Sequence, residues 1–356
     1  MRAHKLDIIE AQTDDLTVDN ESITSFNSLK TNKNMIINGD FDIWQRGISS
    51  AVNGYGCSDR WINGVVGGSL TQSQVTFTAG QTDVPNYPTY HTNCVVTSAA
   101  GATNYITLVH RIENLRRTGG QTVTLSFWAK ANASKNMAIE LVQDFGDGGT
   151  ADLNGIGSQK FALTTSWTKI EHTISVPSLS GKTLGPGNNL AIVLWFDGGS
   201  SFDARTDSLG HQSGTFDISQ VQLEKGADAT DFEIRPIAEE LALCQRYFEK
   251  SYADATFPGA ITYIGSIYHV LSNNLVNGGG WGDLIFCVRK RAAPTVTAYS
   301  PTTGASGKCF NQTAGADRSA GAYQPTNSGF VFYYSDAIGS TDQHVMWMQW
   351  TADAEL

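Results

Sequence analysis

The sequence GDFDIWQRG at residues 39–47 and the sequence FDISQVQLE at residues 216–224 frame a long region of alternating hydrophobic and polar residues. Within that region, residues 122–130, 137–142 and 190–197 place apolar side chains at every second position. A period of two indicates β-strands that bury one face. Glycine-rich segments separate these runs, which predicts short strands arranged in a two-sheet sandwich.

Residues 236–252 interrupt the strand pattern. Ile237, Leu241, Cys244 and Phe248 recur there at helical spacing, and acidic residues in the first turn complement the helix dipole. We therefore predict that a short helix spans this segment and connects two β regions.

Two segments remain, at the two ends of the chain. Residues 253–356 have strand-like runs, whereas residues 1–33 have too few hydrophobic residues for a core of their own. Residues 253–356 contain several such runs, including 295–299 and 329–334, and are predicted to carry a receptor-binding surface. The predicted fold is all-β with four parts: an extended N-terminal anchor at residues 1–33, a jelly-roll β-sandwich at residues 34–235, a short connecting helix at residues 236–252 and a second, smaller C-terminal β-sandwich at residues 253–356.

The leader at residues 1–33 carries spaced hydrophobic side chains that it cannot bury within itself. Two interpretations fit this pattern: a disordered tail, or an anchor that packs against a partner or against copies of itself. The regular recurrence of the hydrophobic residues favours the anchor.

Composition excludes several classes of function. The chain has 356 residues and a formal net charge of −10, and an acidic surface repels phosphate backbones and anionic lipid, so we predict no nucleic-acid binding. No stretch has the ~18 apolar residues that a membrane span requires, so we predict no membrane insertion. The first residues lack a signal peptide, which predicts synthesis and folding in a cytoplasm.

Five cysteines occur, and no two of them form a CxxC pair. This spacing fits neither a disulfide framework nor a zinc knuckle. We therefore predict buried free thiols in a protein folded under reducing conditions.

Motifs for catalysis are missing from the sequence: there is no GxSxG, HExxH, Walker A or GxGxxG. His110 and Glu113 lie in a strand-like run without a nucleophile motif. Asp144 and Asp147 lie in the loop DFGDGG, where two acids would suit a glycosidase, but a solvated turn is the favoured interpretation.

Sugar binding has better support from the sequence. Sugar rings stack on flat aromatic faces, while flanking polar groups meet their hydroxyls. Trp128 and Trp195 fall on the outward phase of their strands. We predict a glycan-binding platform that consists of Trp128, Trp195, Lys130, Arg111, Glu113 and Asp197. The alternative is that the two tryptophans seal a sheet edge, a domain contact or a subunit interface.

Residues near the opening motif favour a structural role. Trp44 and Trp61 are flanked by charged residues, and Arg46, Asp59 and Arg60 are predicted to form a buried Asp–Arg pair near one end of the sandwich.

Several motifs resemble those of a known protein class. The opening NMIINGDFDIWQRG at 34–47, with Asp-Arg-Trp at 59–61, resembles the start of many phage virion proteins. The run VTLSFWAK at 123–130 resembles central strands of a carbohydrate-binding-module-like jelly roll, and 216–224 with FEIRP at 232–236 resembles its closing strand. The resemblance covers residues 34–300 and implies the architecture without naming a ligand.

The resemblance carries further expectations. Related carbohydrate-binding jelly rolls often hold a structural calcium near the chain ends of the sandwich, and Asp40 and Asp217 are the positions that match it here. The class also implies a homotrimeric tail fibre or spike in a virion, with residues 1–33 contacting other virion proteins.

The sequence thus predicts a phage fibre or spike protein that attaches to host-surface polysaccharide without catalysis. The first alternative is a structural decoration or adaptor protein that binds only other virion proteins. A polysaccharide depolymerase that uses Asp144 and Asp147 is the third.

Overall fold

The computed structural model describes residues 33–271, 281–334 and 344–356, together with two short strands that pair antiparallel, β1 (Leu16–Val18) and β2 (Glu21–Ile23). Apart from these strands and Lys33, the anchor predicted at residues 1–33 lies outside the described residues. The jelly roll consists of two sheets, here called sheet I and sheet II, and all strand pairs within them are antiparallel.

Sheet I has five strands in the order β10-β9-β12-β7-β4. These strands are β4 (Trp61–Val66), β7 (Tyr105–Glu113), β9 (Lys135–Asp144), β10 (Leu153–Leu163) and β12 (Asn189–Gly198).

Sheet II has six strands in the order β11-β8-β13-β6-β5-β3. These strands are β3 (Ser49–Ser50), β5 (Ser69–Thr76), β6 (Tyr90–Thr97), β8 (Thr122–Ala131), β11 (Thr168–Ser175) and β13 (Gly214–Lys225).

The hydrophobic core of the jelly roll lies between the two sheets. In β8, Val123, Leu125, Phe127 and Ala129 belong to this core and are fully buried, as their alternation predicts. Strand β12 is buried along its whole length. Its core-facing residues pack inward, while its outward residues are partly covered by the 3-10 turn Ser200–Phe202 and the four-residue helix α1 (Asp203–Thr206).

The connecting helix is shorter than the sequence predicts. Helix α2 spans Ile237–Gln245, and Phe248 lies instead in strand β14 (Phe248–Lys250), which pairs with residues 351–353. The prediction of a helix through residue 252 is therefore wrong. Strand pairing and burial of Phe248, Glu249 and Lys250 outweigh the local helical spacing.

The C-terminal strands form one continuous sheet that curls around its own core in a sandwich-like arrangement. The long strand β21 (His344–Asp353) pairs with β15 and β18 through its first half and with β14 and β17 through its second. Phe330, Phe332, Met346 and Trp350 belong to the core. The other strands are β15 (Ile267–Leu271), β16 (Trp281–Ile285), β17 (Thr295–Tyr299), β18 (Lys308–Asn311), β19 (Ala316–Tyr323) and β20 (Gly329–Tyr334).

A buried ionic cluster, here called the ionic joint, connects the jelly roll to the end of β21. It consists of Arg46, Asp59, Arg60, Asp353 and Glu355. Arg46 donates to Asp353 Oδ2 at 3.1 Å and to Glu355 Oε1 at 3.2 Å, and its Nη1 lies 3.6 Å from Asp59 Oδ1. The predicted buried Asp–Arg pair is confirmed, and it belongs to a larger network than the sequence indicates.

Four of the five cysteines are buried and all five are free, so the predicted burial fails only at Cys287, which is exposed. Within the described ranges, no helix combines the length and the apolar character that crossing a membrane demands.

Candidate functional site

A groove runs along the outer face of sheet I. Strand β12 lies between β7 and β9, so the outward side chains of the three strands stand in rows across the sheet. Strand register defines the rows Arg111–Ala191–Val142, Val109–Val193–Glu140 and Thr107–Trp195–Ala138. The groove has a volume of about 240 Å³ and extends over all three rows.

One end of the groove is aromatic. Trp195 forms its floor and is 2% exposed, whereas Tyr105 and Phe202 are partly exposed above it. The Tyr105 and Phe202 ring centroids lie 5.3 Å apart, and each ring lies within 5.7 Å of Trp195. This arrangement offers apolar ring faces to a ligand at the surface.

An ion pair between the buried Glu140 and the partly exposed Arg205 fixes the wall of the aromatic end. Glu140 is fully buried and accepts hydrogen bonds from Arg205 Nε at 3.0 Å, Arg205 Nη2 at 2.5 Å, Trp195 Nε1 at 3.2 Å and the Gly155 amide at 2.7 Å. The Arg205 guanidinium also lies over the Trp195 ring, 5.2 Å from its centroid. Because every bond holds a neighbouring element in place, the groove is formed before any ligand arrives.

The other end of the groove is polar. Arg111, Asp144, Asp152 and Asn154 line it. Asp144 accepts hydrogen bonds from the Asn189 side chain and the Gly146 amide, both at 2.9 Å. These groups supply donors and acceptors at the end of the groove opposite the aromatic rings.

The predicted platform does not form as a single surface. Trp195 and Arg111 line the sheet I groove, but Trp128 and Lys130 lie on β8, in sheet II. Alternation along a strand shows which side chains leave the core, and it does not show which sheet a strand joins. The prediction that the two tryptophans share one face is therefore wrong.

The two predicted acids of the platform have other partners. Glu113 accepts hydrogen bonds from Arg246 at 3.0 Å and from the Tyr247 hydroxyl at 3.1 Å, beyond the end of the groove. Asp197 follows a β-bulge and is fully buried. Its carboxylate accepts from Ser98 Oγ and from the Gln212 amide, both at 2.7 Å, so it is not presented to a ligand.

The predicted calcium residues also have separate surroundings. Asp217 accepts from Asn93 Nδ2 at 2.6 Å and lies 3.8 Å from Lys130 Nζ and 3.5 Å from His91 Nδ1. Calcium prefers six to eight oxygen ligands, and the described residues hold no group of three or more His, Cys, Asp or Glu side chains placed to bind a metal. The described side chains thus place no three such ligands together at Asp40 and Asp217, and calcium binding at these two positions stays a prediction.

Asp40 instead lies beside two further acids near the start of α2. Burial raises the pKa of Asp40 to about 8, with repulsion from Asp42 and Glu240 acting in the same direction. Burial and Glu240 likewise raise the pKa of Asp42 to about 6. Asp40 is therefore largely protonated at neutral pH in the folded protein and ionised in the unfolded chain.

This shift predicts how stability depends on pH. A raised carboxyl pKa means that the folded state binds more protons than the unfolded state between pH ~4 and pH 8, so stability falls as pH rises through that range. We expect Asp40 to contribute a drop of up to about 1 kcal/mol in the free energy of unfolding, measured by urea denaturation, from pH 7 to pH 8.

The variant Asp40→Asn is expected to remove most of that drop, whereas the exposed control Asp147→Asn is expected to keep it. Equal pH dependence in Asp40→Asn and the wild type would contradict the assignment. Repeating the measurement at pH 8 with calcium tests the metal directly, since stabilisation that depends on Asp40 would support calcium binding there.

The groove also contains residues that sequence reasoning missed. Tyr105 stands at the first position of β7, and Phe202 and Arg205 lie in the connection between β12 and β13. The connection has no strand periodicity, so the only signal in the sequence is an aromatic and a basic residue within a glycine-rich loop.

Comparison with known proteins gives one family match. Residues 33–184 match a family model described as a carbohydrate binding domain. The match covers less than half of the chain and ends before β12, so it includes Tyr105 and Arg111 but not Trp195 or Phe202. No curated protein matches the chain.

Similar solved structures include a protein described as "CBM4 structure and function", which is 16% identical over 54% of this chain and 99% of its own, with a TM-score of 0.32. A family 11 carbohydrate-binding module from Clostridium thermocellum, in complex with a β-1,3-1,4-mixed-linked tetrasaccharide, is 14% identical over 52% and 99%, with a TM-score of 0.31. The enzymatically active domain of bacteriophage CBA120 tailspike protein 4 is 13% identical over 55% of this chain but only 22% of its own, with a TM-score of 0.32. At these values we draw neither ligand nor activity from the likenesses.

Proposed function

We propose that the protein binds a surface glycan in the sheet I groove and thereby attaches a phage virion to its host cell. The observation that carries the binding proposal is the groove itself, with exposed aromatic faces of Tyr105 and Phe202 at one end and Arg111, Asp152 and Asn154 at the other. Apolar ring faces combined with a few placed polar groups are what sugar recognition requires.

The groove is suited to binding with little ordering cost. Glu140 holds Arg205 and Trp195 in place, and these support the partly exposed Phe202 ring. A preorganised wall loses less conformational entropy when a ligand binds than a loop that must first become ordered. The match of residues 33–184 to a carbohydrate binding domain supports glycan binding as such.

The virion role rests on the sequence motifs, above all on the resemblance of residues 34–47 to the opening of phage virion proteins. In this proposal, residues 1–33 attach the protein to other virion components and the protein is a homotrimer. Three weak glycan sites on one particle would raise avidity without any new contact. The virion on the host surface is then its place of action.

We propose binding without catalysis. Asp144 already accepts hydrogen bonds from Asn189 and Gly146, and Asp147 is exposed on the turn that follows β9. Asp144 thus holds a loop in place, and Asp147 faces solvent. A glycosidase instead places two carboxyl groups on either side of the scissile bond, one as acid and one as base or nucleophile.

The test is glycan-microarray binding followed by calorimetry with the best ligand. Tyr105→Ala is expected to weaken binding about tenfold, because the ring supplies an exposed stacking face. Trp128→Ala, on sheet II, is the matched control and is expected to leave affinity within about twofold. Thermal unfolding of both variants checks that the fold persists.

Other outcomes separate the alternatives. Loss of binding in Trp128→Ala with full binding in Tyr105→Ala would move the site to sheet II. No binding of the wild type to surface polysaccharides of permissive hosts would favour a structural decoration or adaptor protein. Release of reducing sugar that is lost in an Asp144→Asn/Asp147→Asn double variant would favour a depolymerase.

A further inference from the structure

A second cavity of about 390 Å³ adjoins the groove at the end of β7. Strand β4 pairs with β7 only as far as His110, so residues 111–113 have no β4 partner along that edge. Residues 35–37 and helix α2 complete the walls. We call this space the edge cavity; it is lined by Met35, Ile37, His110, Arg111, Ile112, Glu113, Asn114, Arg117, Leu243, Arg246 and Tyr247.

The edge cavity is positively charged although the whole chain is acidic. Arg111, Arg117 and Arg246 line it, and Glu113 is the single acid among the lining residues. Glu113 is already engaged by Arg246 at 3.0 Å, and Arg111 Nη1 donates to the Leu356 carbonyl at 2.6 Å. Arg117 is exposed, and its guanidinium has no hydrogen bond or ion pair within the described part of the chain. Such a surplus of guanidinium groups favours an anionic ligand.

Arg111 joins the edge cavity to the sheet I groove, because it lines both. The path from Thr107 to Glu113 follows β7 for six residues, which is about 20 Å at the usual rise of a strand. A ligand that fills both spaces is therefore an oligosaccharide rather than a single sugar.

A buried histidine adds a neutral polar group to the same cavity. His110 is fully buried, and its Nδ1 has no hydrogen-bond partner among the residues that the structure describes. Its Nε2 lies 3.0 Å from the Ile37 carbonyl oxygen and 3.3 Å from the Ile37 amide nitrogen. Burial lowers the pKa of His110 well below its usual value, so the ring is neutral and adds no charge to the edge cavity.

From these observations we propose that the ligand is an acidic glycan, whose carboxylate binds in the edge cavity at Arg117 while its other rings occupy the groove. This inference rests on the proposed glycan binding and names the class of glycan. Arginine suits a carboxylate because its planar guanidinium donates two parallel hydrogen bonds.

The experiment measures binding of the full-length protein to polygalacturonate, alginate, hyaluronan and polysialate, each beside its carboxyl-reduced form. At least one acidic polymer is expected to bind about tenfold more tightly than its reduced form, and its affinity is expected to fall as salt rises. Arg117→Ala is expected to remove most of that difference. Arg116→Ala is the matched control, because Arg116 is an exposed neighbour in the same turn that does not line the cavity.

Each outcome decides one of the two proposals. If none of the four acidic polymers binds more tightly than its reduced form, or if Arg117→Ala and Arg116→Ala behave alike, the acidic-glycan inference is wrong. The variant Tyr105→Ala distinguishes this inference from the proposed glycan binding. If it binds reduced polymers more weakly than the wild type does, the groove is still the glycan site even when the acidic-glycan inference is wrong. If Tyr105→Ala changes no affinity at all, the groove itself is not the site.

Discussion

Replacing Arg60 by methionine is expected to lower the free energy of unfolding by about 3–5 kcal/mol. Arg60 is fully buried and forms an ion pair with Glu355. Its Nη2 donates to the Arg111 carbonyl at 2.7 Å, and its guanidinium stacks 3.5 Å from the Tyr247 ring centroid. Methionine fills a similar volume but leaves the Arg111 carbonyl without its donor and weakens the charge balance around Glu355.

The measurement is urea denaturation followed by tryptophan fluorescence and circular dichroism. Arg116→Met is the control, since Arg116 is exposed and its substitution is expected to change stability by less than about 0.5 kcal/mol. A loss below about 1 kcal/mol in Arg60→Met would show that the ionic joint is not a main contributor to stability. Because the joint connects the jelly roll to β21, we expect the unfolding midpoints measured by fluorescence and by circular dichroism to shift together in this variant.

A comparable loss is expected when Glu249 is replaced by glutamine, again about 3 kcal/mol. Lys290 is fully buried at 1% exposure or less, and its Nζ donates to Glu249 Oε2 at 2.5 Å, to Gln245 O at 2.6 Å and to Val288 O at 2.7 Å. Glutamine keeps the size of the side chain but removes the only acidic group paired with this ammonium in the described structure. The cation then remains buried against neutral carbonyl groups.

This prediction has a distinct pH signature. Burial already lowers the pKa of Lys290, opposed by Glu249, so removing the acid lowers it further. The folded variant then binds fewer protons than the folded wild type, so its stability deficit relative to the wild type is expected to shrink as pH rises from 8 to 10.

The double variant Glu249→Gln/Lys290→Met tests the mechanism. It is expected to be more stable than Glu249→Gln alone, because no buried charge is left without an opposite charge. A double variant that is less stable than either single variant would argue that the hydrogen bonds of Lys290, rather than its charge, decide the effect.

Sequence periodicity predicts the elements that have one buried face. The alternation in β8 identifies the core residues, and the strand-like runs at 295–299 and 329–334 coincide with β17 and β20. The same reasoning fails at Phe248, because its helical spacing to Cys244 competes with pairing to β21, which lies a hundred residues away in sequence. Local patterns carry no information about such a distant partner.

The candidate site is predictable only in part for a related reason. Trp195 and Arg111 are found from their outward phase, but Trp128 shares that phase while belonging to the other sheet. Phe202 and Arg205 lie in an irregular connection, so only the three-dimensional structure brings them over Trp195.

The connection between β12 and β13 has a consequence for how ligand choice and folding are divided in this chain. It supplies Phe202 and Arg205 to the aromatic end of the groove from outside the sheets, whereas the sandwich core is built from strand residues that face the other way. Exchange of Phe202 therefore alters what the groove accepts while the strands keep their packing. Phe202 can therefore be exchanged to change the target, while Arg205 in the same connection must stay to neutralise the buried Glu140 carboxylate.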